Sequence, residues 1–114
     1  MGLPYTPDAN CKFAFANVAQ SQTDSNIVSA VTDKRIMVLS IRVMAGGTAT
    51  NVTFNSKSGG AGTAISELFA CGANGGIATP YSPVGVFQTN SGEGLTVTTG
   101  AGSTVGIGVT YLEV

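Results

Sequence analysis

The stretch of residues 35–45, RIMVLSIRVMA, is the longest strand-forming segment of the chain. Aliphatic and β-branched side chains fill it, and the turn-forming residues Thr32-Asp33-Lys34 precede it, so it predicts a long β-strand. Successive side chains of a strand point to opposite faces of the sheet. We predict that the core-facing side consists of Met37, Leu39, Ile41 and Val43. The other side is predicted to be half-buried and consists of Ile36, Val38, Ser40 and Arg42.

Seven further segments have the same character. Each is rich in Val, Ile, Thr, Phe or Tyr and is bounded by clusters of Gly, Asn, Asp and Ser, which is typical of strands joined by turns. They cover residues 12–19, 26–31, 50–57, 63–69, 86–89, 95–99 and 104–114. Between glycine loops, residues 63–72 leave room for one helical turn at most. The two prolines of Pro80-Tyr81-Ser82-Pro83-Val84-Gly85 predict a corner or a crossover between sheets.

About eight short strands of this spacing predict an all-β fold. An antiparallel β-sandwich of the jelly-roll type accommodates that number without long free edges, and a small closed barrel is the alternative. We expect residues 12–114 to form this single domain. Residues 1–11 contain Pro4 and Pro7 and no periodic pattern, which predicts an extended N-terminal arm. The alternative for this segment is a frayed terminus.

Two glycines interrupt the last predicted strand. Gly106 and Gly108 alternate there with Val105, Ile107 and Val109. Glycine inside a strand marks a bulge or the close approach of another group. We therefore expect a neighbouring strand, of this subunit or of another, to approach that face.

The composition favours association with other molecules. Charged residues make up 10% of the 114 residues and hydrophobic residues 43%, whereas a typical soluble domain is about 25% charged. A surface with so few charges suits close packing against neighbours better than life as a dilute monomer. A homo-oligomer is the expected state.

The chain has no histidine, which disfavours an enzyme. Histidine is the commonest general base and the commonest metal ligand. The carboxylates are isolated along the sequence, at Asp8, Asp24, Asp33, Glu67, Glu93 and Glu113, and Asp24-Ser25-Asn26 offers too few oxygens for calcium. We therefore expect no catalytic residues, no cofactor and no metal site, and rank an enzyme, such as a glycosidase, last among the possible functions.

The charge pattern also disfavours nucleic acid and membrane partners. The net charge is −1, and the basic residues are scattered as Lys12, Lys34, Arg35, Arg42 and Lys57, so they form no stripe that could neutralise several phosphates. The longest apolar run ends at Arg42, far short of the ~20 residues that a membrane helix needs. No secretory signal pattern is found at the N-terminus, so synthesis in a cytoplasm is expected.

The two cysteines, Cys11 and Cys71, lie sixty positions apart and form no C-x-x-C pair. Since cytoplasmic thiols usually stay reduced, we interpret them as small buried hydrophobic residues. A disulfide across two strands is the alternative.

An ordered series of turn motifs between Asp33 and Val114 resembles small virion proteins of tailed bacteriophages. The series comprises Lys34-Arg35-Ile36, Ala73-Asn74-Gly75-Gly76, Pro80-Tyr81-Ser82-Pro83-Val84-Gly85, Phe87-x-Thr89, Gly92-Glu93-Gly94-Leu95 and Val109-Thr110-Tyr111-Leu112-Glu113-Val114. Two features depart from that pattern. Val86 stands where a Trp often precedes the Phe, and residues 1–32 have no counterpart.

The resemblance implies a β-sandwich structural protein without catalytic residues. It further implies a decoration or cement protein, a trimer bound through the major capsid protein to the outer surface of an icosahedral head. Leu3, Pro4 and Tyr5 of the arm are then the candidate contacts to capsid or neighbouring subunits. The alternative is a tail-fibre or other tail-associated module that binds a receptor.

Overall fold

The computed structural model describes residues 11–114, and the regular structure in this range is entirely β. Its strands are β1 (Lys12–Val18), β2 (Ser25–Val28), β3 (Ile36–Ala45), β4 (Thr50–Lys57), β5 (Thr63–Ala64), β6 (Phe69–Cys71), β7 (Gly76–Ala78), β8 (Phe87–Gln88), β9 (Gly94–Thr99) and β10 (Val105–Glu113). The predicted segment 63–69 is split into β5 and β6, with no helical turn between them. Strand β7 was not predicted, because three residues are too few to show a period.

The strands form two antiparallel sheets. Sheet I has the order β1-β10-β3, and β7 and β8 both pair with the remaining edge of β3. Sheet II has the order β2-β9-β4, and β5 and β6 both pair with the remaining edge of β4. The ten strands therefore occupy eight positions, four in each sheet.

The order of pairing identifies a jelly roll. Strand β1 pairs with β10, β2 with β9, β3 with β7 and β8, and β4 with β5 and β6. These nested pairs are those of one long antiparallel hairpin that is rolled up into two sheets. Within residues 11–114 no strand of one sheet pairs with a strand of the other, so the arrangement is a sandwich and not a closed barrel. The predicted fold class is confirmed.

The hydrophobic core lies between the two sheets. Its buried side chains include Val18, Ile36, Val38, Ile41, Val43, Val105, Ile107 and Val109 from sheet I and Val28, Val52, Phe54, Leu95 and Val97 from sheet II. Phe54 is the largest of those that are fully buried. Its ring centroid lies 5.2 Å from that of Phe87 and 6.1 Å from that of Phe69. Because Phe54 and Phe87 belong to different sheets, their contact joins the two halves of the sandwich.

A β-bulge in β3 corrects the predicted alternation. Thr110 lies opposite Ser40 and Tyr111 opposite Val38, so Leu39 has no partner on β10. Because of the extra residue, the alternation of core-facing and outward-facing side chains shifts by one position across the bulge. Ile36 and Val38 consequently belong to the core with Ile41 and Val43, whereas Met37 is half-buried outside it. Leu39 is fully buried but is not part of the core between the sheets.

No helix within residues 11–114 is both long enough and apolar enough to cross a membrane.

Candidate interaction surface

The outer face of sheet I is the most distinctive surface of the described residues. On β1 the small residues Ala14 and Ala16 pack against the core, so Phe13 and Phe15 point outward and are 77% and 84% exposed. Large aromatic side chains normally contribute 150–250 Å² each to a core or an interface. Two of them, exposed on the same face of an edge strand, make this face the candidate interaction surface.

Strand register places a shallow groove beside Phe15. Phe15 lies opposite Gly108 of β10, which lies opposite Arg42 of β3. In the next row, Gly106 lies between Asn17 and Met44. Because the glycines have no side chains, the surface between β1 and β3 is hollow. We call this hollow of about 480 Å³ the glycine groove; its lining includes Phe15, Asn17, Arg42, Met44, Ile77, Gly106 and Gly108.

Arg42 supplies the positive charge of the glycine groove. Its guanidinium group lies over Gly108, where an added Cβ would come within 2.9 Å of Nε. An added Cβ on Gly106 would instead find its nearest neighbour, Asn17 Oδ1, at 3.6 Å, so this part of the floor is open. The group that approaches Gly108 is thus a side chain of the same subunit and not a neighbouring strand. Among residues 11–114 the ion pair is Lys12–Glu113, and Arg42 has no carboxylate partner there.

The Lys12–Glu113 ion pair links β1, the strand that carries Phe13 and Phe15, to β10. Lys12 Nζ donates a hydrogen bond to Glu113 Oε1 at 3.0 Å. This hydrogen bond and the negative charge of Glu113 raise the pKa of Lys12. The contact joins the start of β1 to the end of β10 and so helps to hold the edge strand in register.

A second exposed apolar patch lies at the opposite edge of sheet I. Residues 79–86 connect β7 to β8, and backbone N–H groups of Thr79, Ser82 and Val86 donate hydrogen bonds to β3. Val84, which is 83% exposed, and Tyr81 project from this segment. The predicted corner is confirmed, but both flanking strands pair with β3, so the predicted alternative of a crossover between sheets is wrong.

The polar clusters of the described residues are occupied by internal hydrogen bonds. The Asp24 carboxylate accepts them from Asn55 Nδ2 at 3.2 Å, Thr96 Oγ1 at 3.1 Å and the backbone N–H of Gly62 at 3.0 Å. The buried Ser56 hydroxyl donates to Glu93 Oε1 at 2.5 Å. Both clusters tie loops to sheet II. Among residues 11–114 no three His, Cys, Asp or Glu side chains are grouped so as to hold a metal ion.

Both cysteines are free thiols. Cys71 is buried at the edge of the core, and this burial raises the pKa of its thiol. Cys11 is half-buried, so only Cys71 fits the predicted environment fully. The interpretation as unpaired cysteines is confirmed, and the alternative of a disulfide is wrong.

The contact residues expected from the sequence, Leu3, Pro4 and Tyr5, lie outside the described residues and stay a prediction. Sequence reasoning missed Phe13, Phe15 and the groove beside them. The sequence signal for them is the alternation in residues 12–18, KFAFANV, where Ala14, Ala16 and Val18 lie on one face of the strand and Phe13 and Phe15 on the other. Hydrophobicity alone would turn the phenylalanines inward, whereas the structure turns the alanines inward.

Comparison with protein-family models, with curated proteins and with solved structures finds no match to this chain.

Proposed function

We propose that this chain is a structural protein of tailed-bacteriophage virions, a decoration or cement protein that binds the outer surface of the head as a trimer. The observation that carries the proposal is the exposed apolar outer face of sheet I on a chain with 10% charged residues. Such a face favours a permanent neighbour. The turn motifs, which resemble those of virion proteins, indicate what that neighbour is: other copies of the chain and the major capsid protein.

The size of the apolar surface suits an interface between subunits. A stable interface buries about 800 Å² on each partner. Phe13 and Phe15 are nearly fully exposed, and at about 150–250 Å² each they supply a large share of that area. Met44, which is 59% exposed on the same face of the sheet, adds to it. A trimer requires a heterologous contact whose rotation between copies closes into a ring of three.

The proposed mechanism is mechanical. A trimer presents the same capsid contact three times to a lattice in which capsid subunits stand at fixed spacings. Once one contact forms, the others bind at high effective concentration, so each of them can be weak. Binding that spans several capsid subunits resists their separation and thereby stabilises the shell.

The copy number of the chain in purified virions tests this function. Quantitative mass spectrometry of virions, with the major capsid protein as the internal reference, is expected to find hundreds of copies in a simple ratio to the shell. A dozen copies or fewer would overturn the head assignment and favour the tail-associated alternative. Absence of the chain would overturn the virion assignment itself.

A further inference from the structure

We infer that the glycine groove binds the N-terminal segment, residues 1–10, of a second copy of the chain. The inference rests on the self-association in the proposed function and names the contact that produces it. It identifies the occupant from the length of the segment, from where the segment joins the sandwich, and from its charge.

The segment is long enough to reach a neighbour and fill the groove. An extended chain spans about 3.3 Å per residue, so ten residues cover about 33 Å. The groove follows β10 from Gly106 to Gly108, a distance of about 7 Å at 3.4 Å per residue. About three residues fill that length, and the rest span the distance to the neighbouring subunit.

Charge complementarity selects this segment. Asp8 is its sole charged side chain, and Arg42 is the cation that lies across the floor of the groove. Carboxylate and guanidinium groups form strong, directional hydrogen bonds. Placing Asp8 at Arg42 satisfies the charge of both groups in an otherwise apolar site.

The remaining residues match the walls of the groove. Leu3, Pro4 and Tyr5 are apolar or aromatic, as are Phe15 and Met44 of the groove lining. Pro4 and Pro7 restrict the backbone before binding and reduce the entropy lost on docking.

The direction of β1 points to a second copy and not to the same subunit. Lys12, the first residue of β1, lies opposite Tyr111, and the strand then runs toward Gly106 and the groove. The segment that precedes Lys12 is therefore attached at the end of β1 that lies away from the groove. To enter that groove it would have to reverse at residues 10–11 and cross Phe13. A neighbour's segment needs no such reversal.

Charge reversal and mixing test the contact. In the full-length chain, Asp8→Arg and Arg42→Asp are each expected to weaken self-association at least about tenfold, measured by light scattering during size exclusion. An equimolar mixture is expected to recover association in part, because two of the three contacts in a mixed trimer then pair opposite charges while the third joins two copies of one variant. A chain that carries both reversals pairs opposite charges at all three contacts and is expected to recover association fully. Glu67→Arg and Lys34→Glu reverse exposed charges elsewhere and are expected to behave as the unsubstituted chain.

The outcomes separate this inference from the function on which it rests. Circular dichroism first establishes that each variant is folded; Arg42→Gln serves as the milder replacement if Arg42→Asp is not. If the charge reversals leave self-association unchanged, the inference is overturned. The proposed function then still stands or falls by the copy number of the chain in virions. Recovery in a chain with both reversals, with no gain of association in the mixture over either variant alone, would place the segment in its own groove and also overturn the inference. A monomeric unsubstituted chain overturns both the inference and the proposed trimer.

Discussion

Gly76 is the residue at which the edge strand β7 approaches β3. A Cβ added there would collide with the carbonyl oxygen of Val43 and lie 2.7 Å from Met44 Cα. We expect Gly76→Ala to lower the free energy of unfolding by about 1–3 kcal/mol, as overpacking does, in urea denaturation followed by circular dichroism. Gly72→Ala is the matched control, because a Cβ on Gly72 meets nothing within 4 Å. Equal effects of the two substitutions would contradict the close approach of β7.

The Cys71 thiol predicts how stability depends on alkaline pH. Burial raises the pKa of this thiol above the 9.0 of an ordinary thiol, so between the two values the folded chain holds a proton that the unfolded chain has lost. The contribution of this thiol to the free energy of unfolding is complete below pH 9.0 and decreases as the pH rises through the pKa of the thiol in the folded chain. Urea denaturation at a series of pH values from 8 to 10 measures the decrease.

Cys71→Ala removes the thiol and its titration. The variant is expected to lose less stability than the unsubstituted chain between pH 8 and pH 10, even though its stability at pH 8 is lower. The Lys12 contribution has the same sign, since its pKa is also raised, but begins above 10.5. An identical alkaline decrease in both proteins would show that burial of Cys71 does not affect its ionisation.

At the scale of elements, the sequence predicts strand positions better than the directions of their side chains. The predicted segment 50–57 coincides with β4, and the eight strand positions of the two sheets agree with the predicted number of about eight strands. For the part of β3 before Leu39, the prediction of which side chains face the core was wrong. A bulge depends on the partner strand, and a run of similar aliphatic residues gives no sequence signal for it. Breaks such as that between β5 and β6 likewise depend on pairing with a neighbour.

The bulge in β3 makes a specific prediction about two neighbouring residues. Val38 is fully buried in the core, whereas Met37 is half-buried outside it. We expect Val38→Ala to lower the free energy of unfolding by about 2 kcal/mol, from lost transfer energy and the cavity left behind. Met37→Ala is expected to cost less than about 1 kcal/mol, as a partly exposed site does. Strict alternation without the bulge predicts the opposite ranking, so chemical denaturation of the two variants decides between them.

At the scale of the whole molecule, the composition predicts association but not which surface would mediate it. Low charge is a property of the entire surface, whereas the glycine groove arises from the register of β1, β10 and β3. Gly106 and Gly108 could be identified from the sequence as unusual strand residues. That Arg42 lies across Gly108, and that Phe15 forms a wall, depends on which strands are neighbours, and such pairing is a long-range property of the fold.

The outer face of sheet I, as an interface between copies of the chain, is the central claim of this account. Sedimentation equilibrium of the full-length chain tests it directly, since it measures mass without a partner or a label. Phe13→Ser combined with Phe15→Ser is expected to leave the stability of the isolated subunit within about 0.5 kcal/mol, because both side chains are exposed. Leu68→Ser removes an exposed apolar side chain elsewhere and is the control.

The account predicts that the unsubstituted chain and the Leu68→Ser control sediment as the same multiple, three, of the 11.4 kDa chain. The double phenylalanine variant is expected to sediment as a folded monomer. A monomeric unsubstituted chain, or a double variant that retains the mass of the unsubstituted protein, would contradict the claim that this face joins the subunits.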